Sequence, residues 1–165
     1  MGGLVAGTGI CDYVTEASSL KMVAMTVNND CNLQCDHCYL QYSSSQTRIP
    51  DTVVEKTLRQ SFNHLVLVGR EPFLNRNVVD HSTSIAMKAN GLGKRVSAIT
   101  NGTNLNLLTK EQLGTFDFID VSFDGGPETY HQARSATYER VSRNVQKASE
   151  LGADVRGINV RLDSQ

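Results

Sequence analysis

The sequence predicts an α/β fold built on a parallel sheet, and three observations carry that reading. Short β-rich apolar runs alternate along the chain with apolar residues at helical spacing. Five such runs with helices between them argue for successive βαβ units. The chemically unusual sequences also fall just past the carboxyl ends of the runs, where open α/β sheets place their ligand sites.

Leu20–Asn28 (LKMVAMTVN) is the first apolar run. Asp51 is placed to cap a helix in which Val54, Leu58 and Phe62 recur every four residues and so share one face. His64–Gly69 (HLVLVG) reads as a short buried strand. Val78, Ser82, Ile85 and Ala89 trace the next helical face, which Gly91 can end in the left-handed conformation. Arg95–Thr100 is the third strand and runs into Asn101-Gly102. Thr109 can cap a short helix, and Phe116–Phe123 is a fourth strand that meets Asp124-Gly125-Gly126. Tyr138, Val141, Val145 and Ala148 line a helix that stops at Gly152, and Asp154–Leu162 is the fifth strand.

The length of 165 residues suits one compact domain and is short for two. The reading is a short extension over residues 1–19 and a core domain over 20–165. Sixteen Lys and Arg against seventeen Asp and Glu leave no basic surface awaiting nucleic acid and no acidic disordered tail. The start, MGGLVAGTGICDYV, lacks the positive segment of a secretory signal, and no apolar run approaches the length of a membrane span. The expectation is therefore a soluble, cytoplasmic protein with no membrane or nucleic-acid partner.

Four cysteines occur, at Cys11, Cys31, Cys35 and Cys38. The last three lie within eight residues as C-x3-C-x2-C, and in a reducing compartment such a group reads as a metal site before it reads as disulfides. Soft thiolates select zinc or iron–sulfur clusters. Three ligands on one loop can hold three irons of a cubane and leave the fourth open to a small molecule. The alternative is zinc held by the same cysteines with His37 or another residue. Zinc sites usually pair such a unit with a second, distant pair, which this sequence lacks. Cys11 reads as a small apolar core or surface residue rather than a ligand.

The segment CNLQCDHCY, with its aromatic-type residue before the last cysteine, resembles the radical S-adenosylmethionine (SAM) superfamily, in the branch that often carries SPASM or related C-terminal extensions. The resemblance covers roughly Leu20 to Leu162. It implies a partial parallel (β/α)6-type barrel, of which only about five strands precede Gln165, so the barrel is expected to be incomplete at its C-terminal side. It also implies a [4Fe–4S] cluster on Cys31, Cys35 and Cys38, with SAM bound at the open iron. Reductive cleavage of SAM would then give a 5′-deoxyadenosyl radical that abstracts hydrogen from a substrate.

Further motifs fit the same resemblance. Gly69-Arg70-Glu71-Pro72 matches a Gly-Gly-Glu-Pro pattern whose backbone and carboxylate meet the SAM ammonium, with Arg70 replacing the second glycine. That replacement predicts weaker SAM binding if the position needs bare backbone. Thr100-Asn101-Gly102 matches a T-N-G element, although Asn-Gly is also a plain turn former. Ser122 and Asp124 lie in a segment similar to the one that faces SAM. His131-Gln132-Ala133-Arg134 resembles an H-D-x-x-R element whose arginine can pair with the SAM carboxylate. His37 and Tyr39 flank the last cysteine where relatives contact adenine. Relatives of this motif style often modify peptides or proteins, which implies a maturase reduced by a flavodoxin or ferredoxin. No catalytic acid or base is identifiable, and His64 and His81 read as structural or solvated. The alternative function is a non-catalytic iron–sulfur or zinc-binding fragment.

Overall fold

The structure is a computed structural model, and it describes residues 22–38, 48–130, 134 and 136–158. Five strands form one sheet: β1 (Met22–Thr26), β2 (His64–Val68), β3 (Arg95–Thr100), β4 (Phe118–Ser122) and β5 (Val155–Ile158). All four pairings are parallel, and the spatial order β1-β2-β3-β4-β5 is the order in sequence. Between them run α1 (Asp51–Leu58), α2 (Arg76–Gly91), α3 (Lys110–Leu113) and α4 (Tyr138–Glu150), with a 3-10 turn at Leu105–Leu107. This is the α/β architecture the sequence predicts.

Alternate strand residues enter the core. Val23 and Met25 of β1, Leu65 and Leu67 of β2, Val96 and Ala98 of β3, and Ile119 and Val121 of β4 are all buried. They share one apolar cluster with Val54 and Leu58 of α1, Val79 and Ile85 of α2, and Val141 and Ala148 of α4. Side chains on the opposite sheet face are more open, with Met22 and Ile99 exposed. One face of the sheet is thus covered by helices, as crossovers between parallel strands demand.

Several local expectations are corrected. Pro50, not Asp51, is the N-cap of α1, and no side chain caps it; Asp51 opens the first turn, where its charge suits the helix dipole. Phe62 packs in the core but lies beyond the end of α1. Val78 is half-buried, and the core face of α2 is carried by Val79 beside it, with Ser82, Ile85 and Ala89. Gly91 is the last residue of α2 rather than its left-handed stop. That role falls to Gly93, at φ 72°, where the Gly93 and Lys94 N–H groups return to Asn90 and Ala89. The fifth strand is seen as Val155–Ile158; residues 159–162 of the expected run lie outside the described residues. Thr109 caps α3 as expected, in a reciprocal box with Gln112.

Candidate active site at the carboxyl rim of the sheet

The cysteine loop leaves β1 under tight local control. Val27 N–H still bonds to Val68 at 3.0 Å, which carries the β1–β2 ladder one residue past the strand. Buried Asn28 then donates to the Glu71 carbonyl at 2.6 Å, and its side-chain oxygen accepts from Asp30 N–H at 2.7 Å. Asp30 in turn accepts from Cys31 N–H at 2.8 Å. Leu33 is buried and pins the loop, and Cys38 N–H closes a turn onto the Cys35 carbonyl at 3.0 Å. Cys31 and Cys35 are half-buried and Cys38 is exposed.

The sulfurs are met by N–H donors. Leu33 N–H lies 3.3 Å from Cys31 Sγ, the Asn101 amide 3.6 Å from the same sulfur, and Arg134 Nη1 4.0 Å from Cys35 Sγ. Burial pushes the Cys31 thiol up, and the donors from Leu33 and Asn101 pull it back. Among the described residues no three His, Cys, Asp or Glu side chains converge to hold a single metal ion. The donor set itself, three thiols on one loop with N–H groups aimed at two of the sulfurs, fits a thiolate-bound cluster.

At the end of β2, Gly69 has φ 141°, and a Cβ there would sit 2.7 Å from the Asn28 carbonyl. Only glycine lets this turn approach the start of the cysteine loop so closely. Glu71 corrects one expectation. Its carboxylate does not face outward toward a ligand ammonium; the residue is 0% exposed. One oxygen accepts from Thr100 Oγ1 at 2.6 Å and Phe73 N–H at 2.9 Å, and the other from Asn101 N–H at 2.8 Å. Burial raises the Glu71 pKa, while its three donors act the other way. The carboxylate therefore clamps the end of β2 to the end of β3. Pro72 is buried with it, its carbonyl accepting from Ser82 Oγ at 2.8 Å, and Arg70 N–H lies 3.5 Å from the Asn28 carbonyl.

The third element, Thr100-Asn101-Gly102, is more than a turn. The Asn101 amide also donates to Asn32 Oδ1 at 3.0 Å, and its oxygen accepts from Thr103 N–H at 2.9 Å. Asn32 returns a bond to Thr103 Oγ1 at 2.8 Å, so the loop is stitched to Cys31 from both sides. Gly102 has φ 77°, and a Cβ would meet Val121 and Val141 methyl groups at 2.8 Å. Asn144, buried on α4, donates to the Gly102 and Thr103 carbonyls at 3.2 and 2.8 Å.

Ser122 ends β4, half-buried, and Asp124 follows it in a loop backed by Phe123, Tyr130 and Tyr138. Asp124 Oδ2 meets Arg134 Nε at 2.6 Å and His37 Nε2 at 3.1 Å. The rim thus gathers His37, Gly69, Glu71, Pro72, Thr100, Asn101, Asp124 and Arg134 around the cysteine loop. Tyr39 and Cys11 lie outside the described residues. Sequence reasoning missed Asn28, Asn32, Thr103 and Asn144; the first three could have been signalled by their position beside the named motifs, and Asn144, inside α4, by nothing in the sequence. His64 bonds to Ser97 at 2.9 Å, and His81 is buried on α2, both away from the cysteine loop's own contacts.

With these motifs on one rim, the chain was compared with known proteins. Residues 25–162 match the Radical SAM superfamily. The chain belongs to that superfamily. It is 26% identical over 148 residues to a probable GTP 3′,8-cyclase of Methanococcus aeolicus, covering 85% of this chain and 50% of the cyclase. It is 27% identical over 139 residues to the antilisterial bacteriocin subtilosin biosynthesis protein AlbA of Bacillus subtilis, covering 76% and 30%. The fold matches Streptococcus suis SuiB bound to its precursor peptide SuiA, with TM-score 0.64, 16% identity, and 89% and 34% of the two chains covered. SuiB bound to S-adenosylmethionine gives TM-score 0.63 at 14% identity, with 89% of this chain and 35% of SuiB covered. The radical SAM chain thus spans half or less of the relatives it matches. Among the described residues no helix is long and apolar enough to cross a membrane.

Proposed function

We propose that this radical SAM domain holds a [4Fe–4S] cluster on Cys31, Cys35 and Cys38 and binds SAM along the rim formed by residues 69–72, 100–102, 122–124 and 134. The observation that carries the reading is the set of N–H donors from Leu33, Asn101 and Arg134 aimed at the Cys31 and Cys35 sulfurs. When bound, the cluster and SAM supply one-electron cleavage of SAM to a 5′-deoxyadenosyl radical. The protein's own part is orientation. Glu71 fixes the β2 and β3 ends against each other, Asn101 fixes Cys31, and Arg134 presents a guanidinium suited to a carboxylate. By likeness to the family, His37 contacts adenine and Ser122 lines the same site.

The substrate class is a peptide or protein, in a reducing cytoplasm with a flavodoxin or ferredoxin as electron donor. AlbA, named for subtilosin biosynthesis, and SuiB, solved with a precursor peptide, support the peptide substrate. Anaerobic reconstitution with iron and sulfide counts, followed by a SAM-cleavage assay, tests the proposal. The expected result is about four irons per chain and release of 5′-deoxyadenosine. Reconstituted Cys35→Ala should lose the charge-transfer absorption of the cluster. Cluster content equal to wild type in all three cysteine variants would overturn the ligand assignment, and zinc in anaerobically purified protein would support the non-catalytic alternative.

A further inference from the structure

The carboxylate of Asp124 sits where the cysteine loop meets the end of β4, and a single oxygen serves both sides. Oδ2 accepts from Arg134 Nε at 2.6 Å and faces His37 Nε2, between Cys35 and Cys38, at 3.1 Å. The Asp124 and Arg134 side chains are only 6% and 11% exposed, so solvent screens this pair weakly. A guanidinium is planar, and fixing Nε fixes the direction of its remaining N–H groups. Here that leaves Nη1 directed at Cys35 Sγ, 4.0 Å away.

We propose that Asp124 is a positioning residue that latches the cysteine loop to β4 and aims Arg134 at the Cys35 sulfur, setting the electron affinity of whatever that sulfur ligates. The proposal rests on the cluster assignment above. A cation and an N–H donor beside a ligating sulfur stabilise the added electron, so Arg134, held in place by Asp124, raises the reduction potential of the cluster against the carboxylate's own opposite effect. The His37 contact adds a mechanical part. It ties the chain between the second and third cysteines to the same carboxylate, which limits how far the ligands can spread when iron is lost.

The test compares reconstituted wild type with Asp124→Asn, Arg134→Gln, Arg134→Lys and the double variant Asp124→Asn/Arg134→Gln. Three quantities are read: iron and sulfide content, midpoint potential by spectroscopically followed redox titration, and the rate of iron loss to a chelator. Arg134→Gln should move the potential to more negative values, whereas Asp124→Asn, which frees the arginine but also removes a negative charge, should shift it less. Iron loss from Asp124→Asn should quicken by about tenfold, the usual scale for removing a group that orients a metal ligand. The double variant should be little worse than the worse single one, because both remove one contact. Arg134→Lys, which keeps charge but not the fixed fork, should restore only part of the shift and serves if Arg134→Gln does not fold. A wild type that loads cluster while both single variants keep its potential and its iron-loss rate would overturn the latch alone. A wild type that takes up no iron and sulfide would overturn both the latch and the cluster assignment.

Discussion

Glu71 is fully buried and accepts three hydrogen bonds, so its chemistry can be tested one atom at a time. In Glu71→Gln the amide oxygen can replace the oxygen shared by Thr100 and Phe73, but the NH2 group then faces Asn101 N–H. A buried donor set against a donor costs about 1–3 kcal/mol, visible in denaturant unfolding. The wild-type carboxyl also makes this difference depend on pH. Its folded pKa is raised by burial above the ordinary 4.5, so its stabilising contribution is full below that value and is lost as pH rises through the folded pKa. The advantage of wild type over Glu71→Gln should therefore shrink from acid toward neutral pH, and an advantage that grows would refute the direction of the shift. Gly69→Ala should cost at least about 2 kcal/mol, from the positive φ and the 2.7 Å approach to Asn28 together. At this scale the cysteines and the Gly-x-Glu-Pro and Thr-Asn-Gly sequences were legible because their residue types are rare in such spacing. Asn28, Asn32 and Asn144 were not. A short amide side chain looks the same in sequence whether it ends a strand, fills a turn or holds a loop, and only the fold supplies its partner.

Among the elements, α2 follows the Gly69–Pro72 turn directly, and its start is set by Asn75, whose side chain accepts from Val78 N–H. Asn75→Ala should lose about 1 kcal/mol of stability and Asn75→Asp should keep it, as thermal unfolding would report. The strands were legible because parallel strands buried by crossover helices read as short apolar runs between breakers, and Arg95–Thr100 matches residue for residue. Their ends were less so. Phe116 and Gly69 continue the apolar or turn pattern without joining a ladder, since apolar character marks burial rather than hydrogen bonding. The end of α2 was misplaced by two residues for a similar reason: Gly91 and Gly93 look alike in sequence, and only the backbone chooses which turns left-handed.

For the whole molecule, protection should be graded. Amides of β2, β3 and β4, each flanked by two strands, should exchange slowest, and the 31–38 loop fastest in apo protein. Reconstitution should slow the loop selectively, and equal slowing across the whole sheet would argue against local ordering by the cysteines. Fold class was legible at this scale because every level agreed: alternation, helix spacing and the siting of motifs past strand ends. The sheet order adds a consequence of its own. Each strand pairs with the one synthesised just before it, so no ladder waits for a partner still inside the ribosome. As the chain emerges, each strand and its helix can dock on a finished edge, closing one crossover at a time. The cysteine loop, tethered to β2 and β3 by Asn28, Asn32 and Asn101, would then be shaped before the Arg134 side of the site emerges. Metal delivery could begin on a nascent chain.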